Sequence, residues 1–311
     1  MATNVRAGRA KPGLRAQHVA CVDAAARIGS AHVEGATVGS TRFSFTPATL
    51  IAGRYHFSIG TAGSTTLVLQ TVVPALLLAD GESTVVVEGG THNPFAPPYE
   101  FLAECFLPVL RRAGASVDIH LDRFGFYPRG GGQITATISP RQLQPLYLHR
   151  RGNLLSRRAR AMVVGLAATT AVRELKVIRA ALAWSDAELD VVEHQAPAHV
   201  QGNAVLISTE YEHVTELVTS IGERGHPAES VARRAAQEMQ AYLAHDAPVG
   251  PHLADQLLVP LAIGAGGSYV TGPLTLHTTT NIDVIRRFLD DVFIGVEELP
   301  GDQVKVTVVP G

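Results

Sequence analysis

The stretch Tyr269-Val-Thr-Gly-Pro-Leu-Thr-Leu-His277-Thr-Thr-Thr-Asn-Ile-Asp283 carries the side chain best suited to nucleophilic chemistry. Its pattern predicts a strand over 268–271, a turn at Gly272-Pro273, an alternating segment over 274–277 and then a helix. Thr280 is placed to cap that helix, and Asp283, three residues on, completes a Thr-x-x-Asp capping box. Backbone N–H groups at a helix start favour an anion, and an imidazole beside a phosphate-sized anion site is equipped to attack phosphorus. A capping or buried histidine with no chemistry would give the same pattern, and these residues alone leave both readings open.

Other stretches could serve the same chemistry. Gly60-Thr-Ala-Gly-Ser64-Thr-Thr precedes a helix with Ser64 as its cap, which by itself is a weak anion signal. Gln70 lies on that helix among Leu67, Val68, Leu69 and Val72, where a structural hydrogen bond and a ligand contact are equally open. The proline-dense run Gly89 to Tyr99 offers a stiff wall against which a base could pack, or a plain loop before a helix. His252-Leu-Ala-Asp-Gln256 opens another helix, where an early acid is usually a dipole partner. Near the start, Arg6, Arg9, Lys11 and Arg15 form the densest early cationic cluster, followed by Gln17 and His18. Neither the glycine-rich run 130–132 nor Gly264-Ala-Gly-Gly267 has the spacing of a Walker A or dinucleotide loop.

Behind these residues lies a recurring order of elements. Helix, strand, turn and strand are expected over 15–28, 31–38 and 42–46, again over 97–112, 115–121 and 133–138, and a third time after Thr280, at 291–297 and 303–309. The second and third copies are preceded by a helix–strand pair, over 64–79 and 83–88 and over 255–263 and 268–271. The economical reading is an α+β chain of βαβαββ repeats, the first incomplete, and that loss is expected to expose Leu67, Val68 and Leu76. The pattern breaks over 151–247, which reads as a small inserted domain. The discontinuous repeat domain is then 1–150 with 248–311. Arg157, Arg158 and Arg160 within the insert could touch phosphates or simply line a solvated strand entrance.

Composition bounds the class. The 311 residues are 46% hydrophobic and 17% charged, with a net charge of −2, which excludes a broadly basic nucleic-acid coat and leaves room for a local patch. Cys21 and Cys105 are the only cysteines, have no zinc-ligand spacing and read as free buried thiols of a reducing, cytoplasmic compartment. No apolar stretch reads as a signal peptide or membrane span.

Taken in order, Arg6-Ala-Gly-Arg9-Ala-Lys-Pro-Gly13-Leu, Gln17-His18, Thr61-Ala-Gly-Ser64, Leu69-Gln70, Gly89-Gly-Thr91, Gly125 to Gly132, Leu253-Ala-Asp-Gln256 and Thr271 to Thr278 resemble the RNA 3'-terminal phosphate cyclase family over nearly the whole chain. The resemblance implies three repeats like the C-terminal domain of translation initiation factor 3, with an inserted small thioredoxin-like domain. It implies an ATP-dependent, ligase-type nucleotidyl transfer that converts an RNA 3'-terminal phosphate to a 2',3'-cyclic phosphate through a histidine–AMP intermediate and RNA-3'pp5'A. By the same resemblance His277 is the nucleophile. ATP falls to Gln70, Pro98, His252, Leu253, Ala254, Asp255 and Gln256, and the substrate phosphates to Arg6, Arg9, Gln17 and His18. Position 252 is His where family members often carry Tyr, and an imidazole can still stack on adenine. The family's opening strand and glycine-rich segment, with its metal-binding glutamate, have no counterpart here. The chain is therefore expected to be an N-terminally shortened member, using ATP and a divalent metal (Mg or Mn) with no ligand assigned. Three rivals remain: a catalytically silent ribosome-assembly relative, which lacks the histidine; an enolpyruvyl transferase of related shape; and an inactive fragment.

Overall fold

A computed structural model describes residues 1–195 and 200–311, and the contacts divide the chain into two units. The first comprises Met1–Tyr99 with Ala115–Arg141, the second Glu100–Gly114 with Gln142–Gly311. This division does not follow the expected boundaries at 151 and 247.

In the first unit, helix α1 (Ala16–Ile28) leads to two short strands, β1 (His32–Glu34) and β2 (Ser44–Thr46), which pair antiparallel. They are followed by β3 (Arg54–Ser58), α2 (Thr65–Leu76) and β4 (Ser83–Gly89). The chain then enters a helical stretch of the second unit, a π-helical turn over Phe101–Phe106 continued by α3 (Leu107–Arg112). It returns as β5 (Ser116–Arg123) and β6 (Gly132–Ser139). The four-stranded sheet has the order β3-β4-β6-β5, with β3 parallel to β4 and the other pairs antiparallel. Helix α2 packs on this sheet and against α1. Val68 and Leu76, expected to be exposed, are 0% exposed, because the apolar stripe of α2 lies between the sheet and α1. Cys105 is buried as expected, but Cys21 is only half-buried.

The second unit holds two sheets. Strand β7 (Leu146–Leu148) precedes the segment built from β8 (Leu154–Val164), α4 (Thr169–Leu182), β9 (Leu189–His194), β10 (Gly202–Tyr211), β11 (Thr215–Ile221) and α5 (Ala228–Leu243). This sheet runs β11-β10-β8-β9, with β8 parallel to β9 and β10 antiparallel to both β8 and β11. Ala161, Val163, Ile178, Trp184, Ile207, Val231 and Met239 form its core beneath α4 and α5. Arg157 and Arg158 lie within β8 and pair with Glu188 and Asp190, and Arg160 grips Glu104 at 2.8 and 2.5 Å. These arginines are thus spent on ion pairs.

The last sheet collects β12 (Gly267–Thr271) after α6 (Pro251–Ile263), then β13 (Phe293–Leu299) and β14 (Gln303–Val309) after α7 (Leu276–Phe288). Its order, β13-β14-β12-β7, read from β7, is first-second-fourth-third, the same as that of the β3–β6 sheet. Sequence reading missed β3 and β7, both short. In β7 the register sets Leu146 beside Gly267 in a parallel pair. Gly267 has φ +138°, and a Cβ there would lie 2.0 Å from the Leu146 carbonyl oxygen. Gly267→Ala should therefore force these strands apart and cost more than about 2 kcal/mol, read as a lower urea midpoint. An unchanged midpoint would show that the β7–β12 contact is not structural.

Candidate functional site

The start of α7 is where the structure departs most from expectation. Thr275, not Thr280, is the N-cap: its hydroxyl accepts the Thr278 N–H at 3.2 Å, and no strand runs over 274–277. His277 is consequently the second helical residue, with its side chain exposed. Thr278 is buried and bonds to the Thr275 hydroxyl at 3.0 Å, which fixes the turn on which His277 stands. The approach to the turn is equally confined, because a Cβ at Gly272 would fall 2.7 Å from Nε2 of His245. Burial, and then the Arg151 guanidinium, hold His245 below the usual histidine range.

One turn beyond His277, on the same helical face, Asn281 donates from Nδ2 to Oδ1 of Asp255 at 3.0 Å and to the Asp255 carbonyl at 3.1 Å. Gln256 donates to the other carboxylate oxygen at 3.2 Å. Leu253 and Ala254 are buried, and the Ala254 carbonyl accepts from Tyr269 at 2.7 Å. The expected cluster 252–256 and His277 are thus joined through Asn281, a residue that sequence reading did not single out. Its one signal was the i,i+4 spacing from His277.

Helix α6 starts at Gly250 with Pro251 in its first turn, as a helix opening prefers. The Gly250 N–H donates to Oε2 of Glu216 at 3.2 Å. A Cβ at Gly250 would lie 2.1 Å from Oε1 of the same carboxyl, so glycine is required for this approach. His252 shares a 2.9 Å hydrogen bond with Glu238, which raises its pKa above the usual histidine value and leaves the imidazole otherwise exposed. Glu216 and Glu238 belong to β11 and α5, far from α6 in sequence, so no local pattern could reveal them.

The remaining expected residues lie in the first unit. Arg6, at φ +54°, donates from Nη1 to the carbonyls of Lys11 and Gly13, each at 2.9 Å, and so braces its own loop, whereas Arg9 is exposed. Oε1 of Gln17 accepts the Ser64 N–H at 3.3 Å. Nδ1 of His18 accepts the Arg15 N–H at 2.9 Å, leaving Nε2–H as donor on a neutral ring. Burial first, then Arg6 and Arg15, hold the His18 pKa down. The N-terminus of α2 is largely occupied by protein: Ser64 Oγ accepts from Leu67, and the Thr65 N–H goes to the Gly90 carbonyl at 2.8 Å. This makes it a structural junction, not an open anion site. Gln70 is half-buried two turns along, and Pro98 is buried behind Pro97, whose carbonyl accepts from Thr66 at 2.6 Å. Among the described residues no three His, Cys, Asp or Glu side chains converge to hold a metal ion.

Burial pushes the Glu216 pKa from 4.5 up to about 7. The folded chain keeps this proton where the unfolded chain has lost it, so stability falls as pH rises through that window. The loss is at most about 3 kcal/mol. Glu216→Gln should remove it, raising the melting temperature at pH 8 and leaving pH 5 nearly unchanged. A lower melting temperature at pH 8 would mean that the ionised carboxylate is the form the fold needs.

A family model described as RNA 3'-terminal phosphate cyclase matches residues 1–294. The RNA 3'-terminal phosphate cyclase of Ectopseudomonas mendocina is 45% identical over 290 residues, covering 92% of this chain and 84% of its own length. The Ralstonia nicotianae protein of that name is 45% identical over 287 residues, 92% of this chain and 82% of its own. That of Pseudomonas aeruginosa is 44% identical over 305 residues, 98% and 89%. Matches of this extent span the helix start bearing His277 and the α6 turn beside it, and the chain belongs to the RNA 3'-terminal phosphate cyclase family.

Proposed function

We propose that this chain uses ATP to close an RNA 3'-terminal phosphate into a 2',3'-cyclic phosphate. The observation that carries the reading is the exposed His277 on the first turn of α7, tied through Asn281 to Asp255 in the second turn of α6. An imidazole nitrogen of His277 attacks the α-phosphorus of ATP; a P–N bond forms, the P–O bond to pyrophosphate breaks, and AMP remains on the histidine. An oxygen of the RNA terminal phosphate then attacks that phosphorus, the P–N bond breaks, and RNA-3'pp5'A results. The neighbouring 2'-hydroxyl, losing its proton, attacks the 3'-phosphorus; AMP leaves and the cyclic phosphate remains.

His252 offers an exposed ring for adenine to stack on, and Glu238 keeps it oriented. Leu253, Ala254, Asp255 and Gln256 complete that turn, and Gln70 and Pro98 are assigned to ATP by the family resemblance. Arg9, Gln17 and His18 are assigned to the substrate phosphates, with Arg6 acting chiefly through the loop that it braces. A divalent metal accompanying ATP has no ligand set among the described residues, and no step is routed through it. The common strand order of the β3–β6 sheet and the last sheet supports repeats like the C-terminal domain of initiation factor 3 over 1–150 and 248–311. For 151–247, a parallel βαβ unit followed by an antiparallel pair and a helix supports a thioredoxin-like insert. The presence of His277 favours an active enzyme over a silent scaffold.

Incubation with α-labelled ATP and Mg2+ should leave label on the protein that acid removes and alkali does not. His277→Ala should abolish this label and lower cyclisation by several orders of magnitude, as loss of a nucleophile does. Equal labelling of both proteins would overturn the assignment.

A further inference from the structure

Two loops of the first unit hold aromatic rings out to solvent on a stiff base. Phe95 is fully exposed, and its backbone, at φ +63°, lies in the left-handed region that a bulky side chain rarely adopts. The loop that carries it is pinned on both sides. Asn93 donates from Nδ2 to the Ala62 carbonyl, Thr66 donates to the Pro97 carbonyl, and the Tyr99 N–H returns to Thr91 at 3.2 Å. In the second loop, the Gly130 N–H closes onto the Phe126 carbonyl at 2.8 Å, which leaves Tyr127, 67% exposed, and Arg129 at the tip. Gly130 also abuts Ala62, where a Cβ would lie 2.8 Å from the Ala62 Cα. Beneath both loops, His92 bridges to Phe126, with ring centroids 4.8 Å apart, and lies 5.5 Å from Phe124.

The stretches that carry these rings have no acid of their own, the nearest in sequence being Glu88 and Glu100 at the ends of one of them. Residues 1–22, 59–79, 89–99 and 124–139, which build the loops and the α1 start tied to them through Gln17 and Ser64, contain no Asp or Glu. They contain Arg6, Arg9, Lys11, Arg15 and Arg129, within a chain whose net charge is −2. Exposed rings on a rigid support, with the Arg129 cation at one loop tip, suit unpaired nucleotides, whose bases stack on any aromatic face while the backbone follows the charge.

Resting on the function proposed above, we infer that Phe95 and Tyr127, with Arg129, form a stacking platform for the unpaired nucleotides leading to the RNA 3' end. The platform grips the strand without reading its sequence and takes no part in the transfer of AMP.

The test measures the affinity for a fluorescent ten-nucleotide RNA bearing a 3'-phosphate by anisotropy, and His277 labelling by limiting ATP without RNA. Both rings are exposed, so alanine variants should fold. Phe95→Ala and Tyr127→Ala should each weaken RNA binding about tenfold, and Phe95→Trp should keep it. Arg129→Ala should reduce the salt slope of binding by about 0.7. Labelling of His277 should be unchanged in all four. RNA binding within twofold of wild type in both alanine variants would overturn the platform. So would a fall in ATP labelling of Phe95→Ala, which would give that ring to the nucleotide. If wild type binds RNA but never labels, the proposed reaction fails while the binding comparison still decides the platform.

Discussion

A helix leaves its first N–H groups without intrahelical partners, and each must be met by a side chain, by other backbone or by water. In α6 the cap residue Gly250 has no side chain to offer, and the carboxyl of Glu216 reaches in from β11 instead. In α7 the cap is local, the Thr275 hydroxyl meeting Thr278. These two terminations fix where the helices begin, and the bond from Asn281 to Asp255 joins their second turns. The exposure of His277 and the placement of His252 both follow from that arrangement. Shift either cap by one residue and the helical face bearing His277 rotates by about 100°.

Much of this was legible in the amino-acid sequence. The order of most helices and strands could be read from hydrophobic period. What misled was local ambiguity. Leu274, Thr275, Leu276 and His277 alternate as a strand would, and both Thr275 and Thr280 are competent caps. The choice falls to Thr275 because Thr278 is buried and Gly272 is pressed against His245, tertiary facts that no local period encodes. Strand β7, three residues long, is too short to establish a period of two, whereas β3 does alternate over its five residues and was simply passed over.

Residue type alone does not say what an arginine will touch. Arginine in a glycine-flanked segment suggested phosphate contacts, and Arg9 remains available for them. Arg6 is turned back onto the carbonyls of Lys11 and Gly13, because a loop with few regular hydrogen bonds takes whatever donor lies near. Arg157, Arg158 and Arg160 likewise found acids that lie far away in sequence. At Gly60 to Thr66, Gly63 gives room to Gln17, and it is Gly90 and Gly130 of the facing loops that let those loops close on Ala62.

The parallel pairing of β7 with β12 has a consequence for how the chain assembles. His149 and Ser268, hydrogen-bonded at 2.7 Å, are 119 residues apart, a long loop to close. Arg151 donates at 2.9 Å to the carbonyl of Ala247, 96 residues away, and at 2.7 Å to that of Tyr242. Once β8 to α5 has folded on its own core, this guanidinium joins the segment's two ends, and roughly two dozen flexible residues remain between the strands. Chain-closure entropy depends on the logarithm of loop length, so prior folding lowers the cost of joining β7 to β12 by about 1.5 kcal/mol. Topologically distant partners become near neighbours, and Arg151 is the clasp that makes them so.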